Sequence, residues 1–94
     1  MEFKHALDAL KKGEMIYRNN WQGLFVFMQV PSIIDIDIVQ RMQSLPAQVK
    51  LQFLKRNLDF ISYNNQLAIV NEINSISSWS PSVEDIMATD WKLY

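Results

Sequence analysis

The spacing of the apolar residues changes several times along the 94 residues of this chain, and these changes constrain its fold more than any other feature. Near the start, Phe3, Ala6, Leu7 and Leu10 recur at the spacing of one helix face, which Gly13 is placed to end. Later runs are rich in β-branched and aromatic residues, as strands are. Because both periods occur in one short chain, we expect one α+β domain over residues 1–94, with a small antiparallel sheet.

Two strand-like runs follow the first helix. Residues 14–18 and 24–30 flank the turn-like segment N-N-W-Q-G, residues 19–23. The pattern predicts a β-hairpin whose loop carries Trp21. Pro31 then ends the second strand.

Residues 32–57 are predicted to form a helical insert with one short and one longer helix. D-I-V-Q-R-M-Q-S-L has helical spacing, S-L-P at residues 44–46 resembles a cap and first turn, and A-Q-V-K-L-Q-F-L-K-R continues as a helix. Asp35 and Asp37 would share one face of an extended segment. A solvated acidic edge is favoured over a cation site there, because no further ligands follow at useful spacing.

The last third of the chain returns to strands. D-F-I-S-Y and Q-L-A-I-V flank two asparagines at residues 64–65, which suit a two-residue turn, and we expect a second hairpin. Ser82 and Asp85 resemble a capping box for a short C-terminal helix over residues 83–88. D-W-K-L then alternates as a terminal strand, which predicts that Trp91 faces the core.

Composition argues against several classes of function. The 9 basic and 10 acidic residues give a net charge of −1 without long like-charge blocks, so a nucleic-acid polymer is not the expected partner. The chain has no cysteine and only two glycines, which removes thiol chemistry and a Walker-type phosphate loop. No apolar run approaches the ~20 residues of a membrane helix, and no signal-peptide pattern is present. We expect a cytoplasmic protein that is not an enzyme, does not bind a membrane, and uses no metal or cofactor.

Trp21 and Trp79 are the candidate ligand contacts. Each is interpreted as part of a turn or loop, and each is flanked by small polar residues. Aromatic rings beside amides and hydroxyls suit a nucleobase or a sugar, and stacking contributes roughly 1–3 kcal/mol per base. The alternative is that both rings cover the edge of the core. Composition leaves the two alternatives equally open.

Three segments carry a resemblance to a known family. F-K-H-A-L-D-A-L-K-K-G, R-N-N-W-Q-G-L-F-V-F and W-S-P-S-V-E-D-I-M-A-T-D-W are similar to a small phage and prophage family that includes the second group of Thoeris anti-defence proteins. The last segment is the most specific, because it fixes two tryptophans, a proline, a serine and two aspartates in one register. M-Q-S-L-P-A-Q-V-K and Y-N-N-Q-L-A-I-V resemble a longer-insert branch, so the likeness covers nearly the whole chain.

The resemblance implies a non-enzymatic sponge for an immune signal. Described members are oligomers, tetrameric where the state is described, and sequester the glycocyclic ADP-ribose made by Thoeris TIR proteins. Some members also hold cyclic dinucleotides from cGAS-like enzymes at a separate site. By motif position, Trp21 and Trp79 fall where the family places aromatic ligand contacts.

Further site residues are assigned by their chemistry. Ser82 begins a helix whose N–H groups could face a phosphate, although acidic residues in the first turn would repel one, so Asp85 is preferred as a cap or an acceptor for a ribose hydroxyl. Arg56, near a helix end, is a candidate phosphate partner.

The ligand pocket is expected to span subunits of a homo-oligomer, because the two tryptophans lie on separate loops. A rival interpretation is a protein-interaction module that binds a host partner through exposed tryptophans.

Overall fold

A computed structural model describes residues 1–94, whose contacts divide into two units, Met1–Val30 with Asn65–Tyr94, and Pro31–Asn64. The predicted α+β class, with an antiparallel sheet, an N-terminal helix and a short C-terminal helix, is confirmed. None of the helices is both long and apolar enough to cross a lipid bilayer. The elements in chain order are α1 (Phe3–Lys11), β1 (Ile16–Arg18), β2 (Phe25–Gln29), β3 (Ser32–Asp35), α2 (Ile36–Val39), α3 (Ala47–Lys55), β4 (Phe60–Tyr63), β5 (Gln66–Val70), β6 (Ile76–Ser78), α4 (Val83–Met87) and β7 (Trp91–Leu93).

Helix α1 forms where the apolar spacing predicts it. Ala6, Ala9 and Leu10 are buried on its inner face. Gly13 has a φ of +89°, which glycine adopts without a steric penalty. The N–H groups of Gly13 and Glu14 donate to the carbonyls of Leu10 and Ala9 at 3.0 and 3.1 Å, so the predicted glycine end of this helix is confirmed.

The sheet of the first unit has the strand order β6-β5-β2-β1-β7, and all neighbouring strands are antiparallel. The pairing of β1 with β2 confirms the predicted first hairpin. The longest ladder joins β2 to β5 and ends with Gln29 opposite Gln66, where Gln66 Nε2 donates to Gln29 Oε1 at 2.7 Å. The predicted terminal strand is also confirmed as β7, which lies at the sheet edge with Trp91 opposite Arg18.

The core of the first unit lies between α1 and this sheet. Trp91 is its largest fully buried side chain and is 1% exposed, so the prediction that it faces the core is confirmed. The other members of the cluster are smaller aliphatic side chains: Ala6, Ala9, Leu10, Ile16 and Val26.

The predicted second hairpin around residues 64–65 is wrong. Both strands exist, but β4 pairs with β3, whereas β5 pairs with β2 and β6. The asparagines with positive φ are Asn57 and Asn74, at +53° and +64°, and not the two at the expected turn. Cross-strand pairs stabilise sheets, and β5 gains two neighbours in its observed position, where a local hairpin would give it one.

The second unit contains the two-stranded sheet of β3 and β4 together with α2 and α3. The helical prediction is wrong for residues 32–35, which form β3, because successive isoleucines favour an extended backbone. Both predicted helices are present, but the short one ends at Val39 and does not continue to residue 45. Pro46 is itself the N-cap of α3, so residues 44–46 are not its first turn. The ring of Pro46 disfavours a helical conformation at the residue before it.

The acidic pair of the second unit is not arranged as the sequence predicts. Asp35 ends β3, whereas Asp37 lies in the first turn of α2, so they do not share an extended segment as predicted. No group of three or more histidine, cysteine, aspartate or glutamate side chains is arranged to hold a metal ion.

Candidate functional site

All three tryptophans of the chain meet in the first unit. The ring centroids lie 5.4 Å apart for Trp21 and Trp91, 6.0 Å for Trp79 and Trp91, and 6.4 Å for Trp21 and Trp79. The rings meet edge to face at angles between 81° and 84°, an arrangement that the ring quadrupoles favour. In this tryptophan cluster, the two predicted ligand contacts are joined to each other and to the core.

Trp21 is held by the turn that follows β1. Its backbone N–H donates to the carbonyl of Arg18 at 3.0 Å. Gly23, with a φ of +73°, then turns the chain into β2. The predicted loop position of Trp21 is confirmed.

Trp79 directly follows a strand that the sequence does not predict. The segment around Trp79 is interpreted above as a turn or loop, but Ile76–Ser78 form β6. The Trp79 N–H donates to the carbonyl of Leu67 at 3.0 Å. All three side chains of β6 are exposed, so no alternation of apolar residues marks it. Its only signal is the pairing with β5, which a local pattern cannot show.

Trp21 and Trp79 are half-buried, and both pack against the core cluster. Each ring therefore covers the edge of the core and still keeps part of its surface accessible. A ligand placed against the accessible part would meet a side chain that Trp91 already orients. Such preorganisation lowers the ordering cost of binding.

Ser82 and Asp85 form the predicted capping box of α4. Ser82 Oγ accepts the Asp85 N–H at 3.1 Å, and Asp85 Oδ2 accepts the Ser82 N–H at 2.9 Å. Trp91 Nε1 donates to the backbone carbonyl of Asp85 at 2.9 Å, which places the box beside the tryptophan cluster. The cap is thus their structural role, and a ligand contact would use the remaining lone pairs.

Arg18 is a charged residue of this site that sequence analysis does not single out. Its Nε donates to Asp90 Oδ1 at 3.1 Å, its Nη1 donates to Asp85 Oδ1 at 3.2 Å, and its Cζ lies 6.0 Å from the ring centre of Trp91. It joins the end of β1 to α4 and to the residue before β7. The segment R-N-N-W contains it, but local spacing gives no sign of partners 67 and 72 residues away.

These ion pairs shift two pKa values. The hydrogen bond with Asp90 is the main reason that the pKa of Arg18 lies above its ordinary value, and partial burial opposes it. For Asp90, partial burial is the largest single influence and raises the pKa. The hydrogen bond and charge of Arg18, with backbone N–H groups, together outweigh it, so the pKa of Asp90 lies below its ordinary value. Two carboxylates face one guanidinium, so the formal charge beside the cluster is negative.

Arg56 lies in the second unit, at the C-cap of α3, with an exposed side chain. Its backbone N–H donates to the carbonyl of Gln52 at 3.1 Å. Its assignment as a phosphate contact stays a prediction.

Comparison with known proteins bears on the whole chain. The family described as Tad2-like, the Thoeris anti-defense 2-like domain, has a model that matches residues 1–94. The chain belongs to this family. A curated member, Thoeris anti-defense 2 of Bacillus phage SP01, is 28% identical over 101 residues, which cover 99% of this chain and 93% of that protein. The family resemblance carried by the sequence segments is therefore confirmed.

Proposed function

We propose that this protein acts in phage anti-defence by binding a cyclic nucleotide immune signal and holding it without cleaving it. The signal is the glycocyclic ADP-ribose of Thoeris, a cyclic dinucleotide of cGAS-like systems, or both. Family membership supports the anti-defence role. The observation that carries nucleotide capture is the tryptophan cluster, in which two half-buried rings lie 6.4 Å apart.

In this proposal Trp21 and Trp79 contact the base and the ribose of the signal. Stacking on such rings contributes roughly 1–3 kcal/mol per base. A ribose hydroxyl donates to the Asp85 carboxylate, next to the Ser82 cap. The negative formal charge around Arg18 disfavours phosphate at this end of α4, so the phosphates point away from it.

Retention of the nucleotide tests the proposal directly. The protein is incubated with each candidate nucleotide, separated from free nucleotide by gel filtration and denatured by heat, and the released material is identified by mass spectrometry. Intact nucleotide is the expected result. A hydrolysis product would show an enzyme, and an empty protein would leave the interaction module as the better explanation.

A second aromatic cluster on the same sheet supplies matched controls. Tyr94 lies 5.6 Å from Tyr17 and 4.8 Å from Phe25 between ring centroids, outside the tryptophan cluster. Trp21→Ala and Trp79→Ala are each expected to weaken retention by about tenfold, the equivalent of losing one stacking contact. Tyr94→Ala should leave retention unchanged.

We further propose that the protein works as a homo-oligomer, with a tetramer favoured and with pockets at the subunit interfaces. An apolar groove of about 420 Å³ between α1 and α4 supports self-association, and its lining includes Phe3, Leu7 and Ile86. Met87, which also lines the groove, is 74% exposed, and Val83 of the same helix is 77% exposed. Exposed apolar surface of this kind is typical of contact regions.

The alternative is an interaction module that inserts exposed tryptophans into a host protein. Trp21 and Trp79 are half-buried against the core cluster, which limits the ring surface available for insertion. Nucleotide capture needs only one accessible face of each ring, and we therefore favour it.

A further inference from the structure

Helix α3 leaves an apolar stripe uncovered in the second unit. None of its nine residues is buried, and Leu51 and Leu54 are 44% and 50% exposed. At about 100° per residue, Ala47, Leu51 and Leu54 fall within an arc of about 60° on one side of the helix. We call these three residues the α3 stripe.

Phe53 lies on another side of α3, about 100° around the helix from Leu54. Phe53 is half-buried and lines an apolar cavity of about 330 Å³ together with Leu58, Phe60 and Tyr63. An isolated helix of this length is marginal in water, so its stability depends on packing. Because Phe53 is the half-buried apolar side chain of α3 and lies off the α3 stripe, the stripe stays free for another contact.

Lysines border the α3 stripe on both sides. By the same helical geometry, Lys50 lies about 40° beyond Leu54, and Lys55 lies about 40° beyond Leu51. Lys50 Nζ donates to the carbonyl of Gln40 at 3.2 Å, which holds its charge at that edge. Every ionisable residue between Asp37 and Asp59 is basic: Arg41, Lys50, Lys55 and Arg56.

The charges indicate what can cover the stripe. If a second helix packed along the α3 stripe, Lys50 and Lys55 would occupy the flanking positions whose charges set partner choice in helix pairs. A second copy would bring lysine against lysine, whether the two helices ran parallel or antiparallel. An apolar helix bordered by glutamate or aspartate would instead form opposite-charge pairs on both sides.

We propose that the α3 stripe is a docking surface for an amphipathic helix of another protein, with apolar residues along one side and acidic residues beside them. Helix recognition through anchors at positions i, i+4 and i+7 is a common mode, and the α3 stripe has this spacing. This surface is independent of nucleotide capture and uses none of the residues assigned to it.

Two labelled helical peptides of three heptads serve as probes, both with leucine at positions a and d. One peptide carries glutamate at positions e and g, and the other carries lysine there. Fluorescence anisotropy in low salt should show that the full-length protein binds the glutamate peptide at least tenfold more tightly. Added salt should weaken this binding, because exposed charge pairs are screened.

Variants of α3 separate the contributions of its leucines and its lysines to peptide binding. Leu51→Ala/Leu54→Ala keeps helix propensity and should reduce binding of the glutamate peptide at least tenfold. Lys50→Glu/Lys55→Glu should reverse the preference between the two peptides. Lys55→Glu alone leaves the Lys50 hydrogen bond intact and should reduce the ratio between the affinities for the glutamate and lysine peptides. Circular dichroism confirms that each variant is folded. Lys11→Glu/Lys12→Glu on α1 makes the same charge change elsewhere and should keep the original preference.

Several results would overturn the proposal. These are no peptide binding at millimolar concentration, equal affinity for both peptides, or unchanged binding after Leu51→Ala/Leu54→Ala. A smaller oligomer for that double variant in sedimentation would assign the stripe to a second copy. Binding to anionic phospholipid vesicles without binding to the glutamate peptide would assign it to a membrane surface.

Discussion

Trp91 is the residue on which the candidate site depends. Its buried ring contacts both half-buried tryptophans, and its Nε1 donates to Asp85. The alternation in D-W-K-L predicts that Trp91 is buried, and local polarity predicts that Trp21 lies in a turn. The contact between the rings was not predictable, because it depends on β7 returning to pair with β1 across most of the chain.

Replacing Trp91 with alanine should be the most damaging change at this site. Trp91→Ala removes a ring that is 1% exposed and should lower the free energy of unfolding by about 3–5 kcal/mol. Trp79→Ala should cost less, about 1–2 kcal/mol, because its ring is only half-buried. Urea unfolding at neutral pH measures both, and equal losses would place Trp79 in the core and remove the basis for its ligand contact.

The ion pairs of Arg18 should make part of the free energy of unfolding depend on pH. The pKa of Asp90 is lower in the folded protein than in the unfolded chain, so its contribution is complete above the unfolded value. That contribution is lost as the pH falls below about 4 and through the folded pKa. Arg18→Gln should therefore be less stable than the original protein at pH 7, with a smaller difference at pH 3.

Unfolding of both proteins by urea at each pH measures this difference. Arg18→Lys serves as the control, because it keeps the positive charge but loses the guanidinium group that reaches two carboxylates. Its free energy of unfolding should lie between those of the original protein and Arg18→Gln. A gap between the original protein and Arg18→Gln that stayed constant from pH 7 to pH 3 would contradict the role given to the ion pairs.

Among the elements, those fixed by neighbouring residues were predictable. Helix α1 has a clear apolar face and a glycine end, and α4 begins with a capping box, so both follow from local chemistry. Strand β6 and the partners of β4 and β5 were missed, because their pairing is decided by segments distant in sequence. Individual residues of the candidate site could therefore be predicted from the sequence. Their arrangement around Arg18 could not.

The capping box of α4 provides a test at the level of one helix. Ser82→Ala removes the Oγ that accepts the Asp85 N–H and should lower the free energy of unfolding by about 1 kcal/mol. Ser80→Ala, at an exposed position just before the helix, should change it by less than about 0.5 kcal/mol. Thermal unfolding followed by circular dichroism compares the two, and similar melting temperatures for both variants would show that the box is not needed by α4.

For the whole molecule, a pocket shared between subunits does not follow from the positions of Trp21 and Trp79. The separate loops of Trp21 and Trp79 meet within one chain, with ring centroids 6.4 Å apart, so two subunits are not needed to bring the rings together. The size of the protein still favours a pocket shared between subunits, because 94 residues enclose little interior space for a ligand as large as a dinucleotide.

A ligand bound between subunits should stabilise the oligomer. Free ligand at a hundredfold excess over its dissociation constant should contribute about 2.7 kcal/mol for each site that exists only in the oligomer. Sedimentation over a dilution series, with and without nucleotide, measures the shift. A dissociated monomer that bound nucleotide with undiminished affinity would rule out the shared pocket and leave nucleotide capture itself intact.

The ladder between β2 and β5 makes residues 31–64 a replaceable segment. Gln29 and Gln66 are paired, so the chain leaves the sheet and rejoins it at adjacent positions, as at the mouth of a hairpin loop. Loop-closure entropy grows only with the logarithm of loop length, so a long segment at this point burdens the sheet little more than a short one. Evolution can therefore enlarge, exchange or delete this segment while the five-stranded sheet stays as it is, and a chain with Asn-Gly in its place should still fold.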